Sequence, residues 1–386
     1  MKLVKTTQEL MEYCKFASGF DYISVDTEFL REKTYFSKLC LIQLAVRSDN
    51  PEAAVIIDVL SPDIDLMVLK ELFADKNILK VFHAARQDLE IFFQIFGSLP
   101  QPIFDTQIAA MVCGFGDQIG YDSIVKNILN ESIDKSSRFT DWSKRPLSKK
   151  QLDYAIGDVT FLREIYEYLD GKLKENQRST WVLEEMEILT SEDTYKIIPE
   201  NMWKRIKTKS MSGKALGIIQ ELASFRELYA QTKNVPRNRV LKDEAILEIC
   251  SIKPENSNDL KGLRSYNFTN KSNELNDGIL QAVKKGLCRS LENQVVQINK
   301  KNIRKNSALS DMLKVLLKSK SEQIGVAQKL IATTSDLDQV AAGEIVEKIF
   351  CGWRYEVFGR DVSRLCEGKI GLKVINNKIV TFDICC

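Results

Sequence analysis

DYISVDTEF, residues 21–29, reads as a β-strand built around Ile23 and Val25 and closed by Phe29. Asp26 and Glu28 lie two residues apart on it, so their side chains leave the same face. Two like charges on a half-buried face repel unless they share a cation; the other reading is an exposed strand end with both acids solvated. Around this strand the pattern is mixed. KLCLIQLAV (38–46) and AVIIDVL (54–60) read as strands, DLMVLKELFAD (65–75) as a helix and KVFHA (80–84) as a short strand. RQDLEIFFQIFG (86–97) is a helix stopped by Gly97. Beyond Gln101-Pro102 the pattern is helical, through FDTQIAAMVCGF, YDSIVKNILN and a long run from Leu147 to Asn176. Strands followed by strand–helix alternation predict an α/β domain with a mixed sheet flanked by helices.

Three further acids bear on Asp26 and Glu28. Asp88 falls in the first turn of the helix after KVFHA, where the helix dipole alone favours an acid, but strand-to-helix junctions are also where α/β folds assemble sites. Tyr154 and Asp158 are four apart on the long helix and share a face with apolar neighbours, among them Ala155, Leu162 and Ile165. A carboxylate on that side needs a partner. Asp105 reads as an N-cap or structural hydrogen-bonder. His83 is the sole histidine and reads as structural. Lys144 and Arg145 in FTDWSKRPL are candidates for contact with backbone phosphates, and Trp142 for the core. Converging carboxylates with almost no histidine point to a hard divalent cation and so to phosphoryl chemistry.

At 386 residues the chain is expected to hold two or three domains. Nine cysteines without a C-x-x-C pair read as reduced thiols, and one histidine excludes a Cys/His zinc finger. No apolar run approaches the roughly 20 residues of a bilayer span. The opening MKLVKTTQELMEYCKF reads as an amphipathic helix rather than a signal peptide, so a cytoplasmic location is expected. The net charge of +2 hides a gradient, −8 over residues 1–190 against +5 over 208–290 and +4 over 291–386. An acidic front with a basic rear suits a metal site followed by nucleic-acid-binding modules. From about residue 208 the pattern is helical. QINKKNIRKN reads as a linker, and KIGLKVINNKIVTFDI as a β-like tail turned at Asn376-Asn377.

VDTEF, HAARQD and Y-A-I-G-D resemble the three exonuclease motifs of the DEDD superfamily in its tyrosine variety, and specifically ribonuclease D. LCLIQLA and DWSKRPLSKKQLDYAIGDV resemble the same family. The histidine variety would need histidine where Asp153 stands. The segment LGIIQELASFRELYAQTKNVPRNRVLKDEAILEICSIKP is similar to the helicase-and-RNase-D C-terminal (HRDC) domain. LKVLLKSKSEQIGVAQKLIATTSDL and GWRYEVFG resemble a second, diverged copy. The resemblance implies an RNase H-like exonuclease core over 1–190, an HRDC domain over 208–290 and an HRDC-like region with a β-like tail over 306–386. It implies two Mg²⁺ or Mn²⁺ ions on Asp26, Glu28, Asp88 and Asp158, with Tyr154 orienting the attacking water. The implied activity is 3′-5′ exoribonuclease, releasing 5′-mononucleotides from RNA with a free 3′ end, precursor tRNA above all. A DNA 3′-5′ exonuclease of the Werner type and a catalytically silent RNA-binding protein are the alternatives.

Overall fold

The computed structural model describes residues 2–208, 213–268, 272–289 and 307–384. QINKKNIRKN lies outside them. The chain forms two compact units, one of residues 1–29, 39–195 and 302–386, the other of 30–38 and 196–301.

The first unit is built on a six-stranded sheet, β1 (Lys2–Val4), β2 (Tyr22–Leu30), β3 (Lys38–Ala45), β4 (Ala54–Asp58), β5 (Leu79–Phe82) and β6 (Ile103–Asp105), in the order β1-β4-β3-β2-β5-β6. β1 runs parallel to β4, β3 antiparallel to β4, and β2, β5 and β6 are mutually parallel along their pairings. The sheet is mixed, as the patterning predicts. Two short strands differ from expectation. Lys2–Val4 is a strand rather than helix, because the helix start is fixed at Thr6 by a capping box with Glu9. Ile103–Asp105 is a three-residue strand at the sheet edge, too short to show a period.

Helices α1 (Thr7–Ala17), α2 (Val68–Ala74), α3 (Arg86–Phe96), α4 (Thr106–Val112), α5 (Tyr121–Leu129), α6 (Lys149–Glu175) and α7 (Ser179–Leu189) flank the sheet. α3 ends on Gly97 at φ 68°, a left-handed cap.

Residues 307–384 share this unit's core. Leu313, Leu316, Ile331, Trp353, Phe358 and Ile370 belong to one buried cluster with Val4, Ile23, Val81 and Leu162. The core of the first unit therefore does not close at residue 190. The seam is specific. Trp353 Nε1 donates to Glu185 (3.0 Å) and Arg354 to the other oxygen of the same carboxylate (2.7 Å), while Arg354 Nε reaches the Leu330 carbonyl. Trp353 stacks on Trp181 at 4.7 Å, and Arg178 donates to the Ile324 carbonyl at 2.7 Å. The tail is a hairpin, Ile370–Ile375 against Lys378–Asp383, with Asn376 and Asn377 at φ 48° and 59°. That is the left-handed pair a two-residue turn needs.

The second unit packs Gly213–Thr232, Asp243–Ile252 and Asn273–Cys288 around Ile218, Leu222, Ile246, Ile249, Ile279 and Val283. Gly286 lets two of these helices touch, since a Cβ there would lie 2.4 Å from Ile218 Cα. The segment 30–38, between β2 and β3, belongs to this unit. The Tyr35 hydroxyl donates to buried Glu227 and accepts from Gln231 and Arg237. Asn234 Oδ1 accepts the backbone N–H of both Tyr35 and Phe36 at 3.1 Å. Sequence patterning shows nothing of this insertion.

Candidate active site

β2 and α6 place the acids. Ser24, one pleat before Asp26, donates to the Val159 carbonyl at 2.8 Å, which fixes α6 against β2 one residue beyond Asp158. Asp26, Glu28 and Asp158 then converge, with an oxygen of each within 4.8 Å of the others. Asp88 approaches from α3, where its carboxylate accepts from Thr27. The junction ahead of Asp88 is held by Asp105. Ala84 takes a positive φ of 60°, and the backbone N–H groups of Ala84 and Ala85 donate to the two Asp105 oxygens at 3.0 and 2.8 Å. Asp105 also caps α4, the structural role expected of it.

All four acids and Tyr154 line one cavity of about 480 Å³, together with Gln87, Tyr121 and Arg138. Desolvation and mutual repulsion dominate there. Burial, then the Asp158 charge, raises Asp26 well above the carboxylate range, and burial, then Asp26, does the same to Asp88. Glu28 is pushed up to about 10 by burial and next by Asp26. Asp158 rises by burial to about 7, opposed by a hydrogen bond from Tyr154 and by the Arg138 charge. Burial and the adjacent Asp158 push the Tyr154 hydroxyl upward as well, so it stays protonated and donates. Four acids that repel one another in a shared cavity, all oxygen donors, fit hard divalent cations.

Of the remaining candidates, His83 lines the same cavity but is held by hydrogen bonds on both ring nitrogens. His83 Nδ1 lies 2.9 Å from Thr106 Oγ1 and Nε2 3.1 Å from the Ile119 carbonyl, and burial lowers its pKa. Arg145 does not serve phosphates. It grips Asp58 bidentately at 2.6 and 2.8 Å and donates to the carbonyls of Cys40, Trp142 and Lys144. A guanidinium so occupied anchors the loop that carries Trp142, buried beside Tyr154 at 6.1 Å between ring centroids. Lys144 is exposed and outside the cavity lining. Sequence reading missed Ser24, Thr27, Tyr121 and Arg138. Ser24 and Thr27 flank Asp26 on the strand and offered a local signal; Tyr121 and Arg138 come from separate elements and offered none.

The 3′-5′ exonuclease family matches residues 1–174 and the HRDC domain residues 215–270. Ribonuclease D of Jannaschia sp. (strain CCS1) is 50% identical over 382 residues, spanning 99% of both chains. The chain belongs to the ribonuclease D family. Ribonuclease D of Nitrobacter hamburgensis is 43% identical over 385 residues. The crystal structure of Escherichia coli RNase D, described as an exoribonuclease involved in structured RNA processing, superposes with a TM-score of 0.82 at 26% identity, covering 95% of this chain and 98% of that one. The exonuclease domain of this family is divalent-metal dependent, and the cluster of Asp26, Glu28 and Asp158 is an acidic group of the kind that requirement calls for.

Proposed function

We propose that this ribonuclease D-family chain trims the 3′ ends of precursor tRNA in the cytoplasm, with two Mg²⁺ or Mn²⁺ ions held by Asp26, Glu28, Asp88 and Asp158. The chain is a 3′-5′ exoribonuclease, and the observation that carries the metal reading is the convergence of three carboxylates within 4.8 Å. Bound divalent ions supply charge neutralisation at the scissile phosphodiester and make water a stronger nucleophile for in-line attack. The protein's own groups do the rest. Tyr154, protonated at neutral pH, orients water by donating or accepting a hydrogen bond rather than by acting as a base. Ser24 holds β2 and α6 together beneath the acids, and Asp105 holds Asp88 in place. Arg138 brings a positive charge to a cavity in which the other lining cation, Lys135, is paired with Asp122, and there it offsets the repulsion an incoming phosphate meets. Attack at the terminal linkage releases a 5′-mononucleotide.

In this reading residues 1–190 carry the chemistry, 208–290 form the HRDC module, and 306–386 are an HRDC-like region absorbed into the catalytic core. The +5 charge of 208–290 supplies phosphate contacts. Among the described residues no helix is long and apolar enough to cross a membrane. The test is digestion of a precursor tRNA and a sequence-matched DNA, with Mg²⁺ or with EDTA, resolving the products. Stepwise loss of 3′ nucleotides from the RNA, stopped by EDTA, is expected. Binding without cleavage in Mg²⁺, or faster loss from the DNA, would refute the reading.

A further inference from the structure

Phe139 is 90% exposed, yet the backbone around it is fixed. Asp134 caps the turn at Ser136, Arg138 N–H donates to the Lys135 carbonyl, and Ser137 is buried. On the other side, Thr140 donates twice to the Ser137 carbonyl, through N–H at 3.1 Å and Oγ1 at 2.7 Å, and Gln151 holds the Thr140 hydroxyl. A phenylalanine held this way in water is not a loop residue that failed to find the core, since Trp142, three residues on, is buried. Its ring lines the cavity that contains the four acids and Tyr154. Arg138 lies with its guanidinium 5.2 Å from the ring centroid. Among the described residues it has no carboxylate salt bridge, and its charge is felt by both Glu28 and Asp158.

We propose that Phe139 is a stacking platform for a nucleobase at the 3′ end of the RNA, with Arg138 beside it meeting the adjoining backbone phosphate. The proposal rests on the exoribonuclease reading and adds the subsite. An acidic cavity repels the phosphates it must cut, so grip at the mouth has to come from contacts that are not repelled. A nucleobase presents an apolar π-face, and every base has one. An enzyme that removes successive nucleotides meets all four bases in the same place, so a flat hydrocarbon surface suits it better than a hydrogen-bonding pocket. A neighbouring guanidinium strengthens the arrangement, because it can stack on the ring and still pair with a phosphate.

The experiment uses the full chain and single-stranded RNA oligonucleotides, one set ending in a normal nucleotide and one whose 3′-terminal nucleotides are abasic. Phe139→Ala is expected to raise KM about tenfold on normal RNA, a loss of about 1.4 kcal/mol. kcat should stay within about twofold and the melting temperature should not move, while Phe139→Trp restores KM. On abasic RNA, wild type and Phe139→Ala should have equal kcat/KM. In EDTA, a 3′-terminal 2-aminopurine should be quenched by the wild type and not by Phe139→Ala. An unchanged KM on normal RNA, or the same loss on abasic RNA, overturns the platform. Quenching by a wild type that fails to cleave in Mg²⁺ would overturn the exonuclease reading and leave the platform standing.

Discussion

Replacing Glu28 by glutamine tests whether the acids are assembled at a cost that only a cation relieves. Glu28 has an ordinary pKa of 4.5 and is pushed to about 10 by burial and by Asp26, Asp158 and Asp88. Between these values the folded protein holds a proton that the unfolded chain releases, so in chelator stability falls as pH rises through that window. Each such proton contributes a slope of about 1.4 kcal/mol per pH unit. At pH 7 the cost of taking up the proton is set by the distance from 4.5 to 7 and hardly depends on how far above 7 the folded value lies. It comes to about 3 kcal/mol, or roughly 2 kcal/mol after allowing for solvent screening of a partly exposed group. Glutamine keeps the shape and carries no charge, so Glu28→Gln should raise the melting temperature in EDTA by about 3 °C at pH 7. The gain should grow toward pH 9 and vanish near pH 4. Mg²⁺ should reverse the order, stabilising the wild type by mass action far more than the variant. Calorimetry from pH 5 to 9, with EDTA and with Mg²⁺, measures both. Parallel pH profiles for the two proteins in EDTA, or a variant that melts lower throughout, would refute the argument.

Tyr154→Phe should lower kcat by about 10²-fold with little change in RNA affinity. It should also shift the metal-free titration of Asp158 upward from about 7, since the lost hydrogen bond is what opposes burial; kinetics and a chelator-matched pH titration check the two halves. Asp158→Ala should abolish hydrolysis while leaving the chelated protein at least as stable as wild type, and activity above roughly a tenth of wild type would remove Asp158 from the metal ligands. Arg354→Ala leaves Glu185 buried without its charge partner and should cost about 3–5 kcal/mol, read as a lowered unfolding midpoint, whereas Arg354→Met with Glu185→Leu should recover much of it. Asp105→Ala strips the acceptors from Ala84, Ala85 and the α4 cap and should cost about 2 kcal/mol or more, with kcat falling because Asp88 loses its fixed junction.

What was legible in the sequence was whatever is written locally. The Asp26–Glu28 spacing on a strand, the Tyr154–Asp158 spacing on a helix, the Gly97 stop and the Asn376-Asn377 turn each depend on a few adjacent residues. The structure shows the same elements. Arg145 shows where such reading fails. Its sequence neighbours suggest a free basic cluster, but its partner Asp58 is 87 residues away and ends strand β4. The same holds for Glu185 with Arg354 and for Tyr35 with Glu227, whose pairings join segments that no periodicity connects. Asp88 lies between these cases: its helix position was readable, but its approach to Asp26 depends on Asp105 holding a left-handed Ala84, which propensity disfavours.

The seam between Glu185 and Trp353 also has a consequence for how the molecule is made. Glu185 is synthesised 168 residues before Trp353, an interval on the order of 10–30 s at ordinary elongation rates. Through that interval the nascent chain already possesses Asp26, Glu28, Asp88, Tyr154 and Asp158, yet the wall that covers Trp181 and neutralises Glu185 has not left the ribosome. A message cut short in that stretch yields a chain with all five proposed site residues and an open core, a target for proteases rather than a working nuclease. Completion of translation is thereby a condition for the acid cluster to stand on a finished fold.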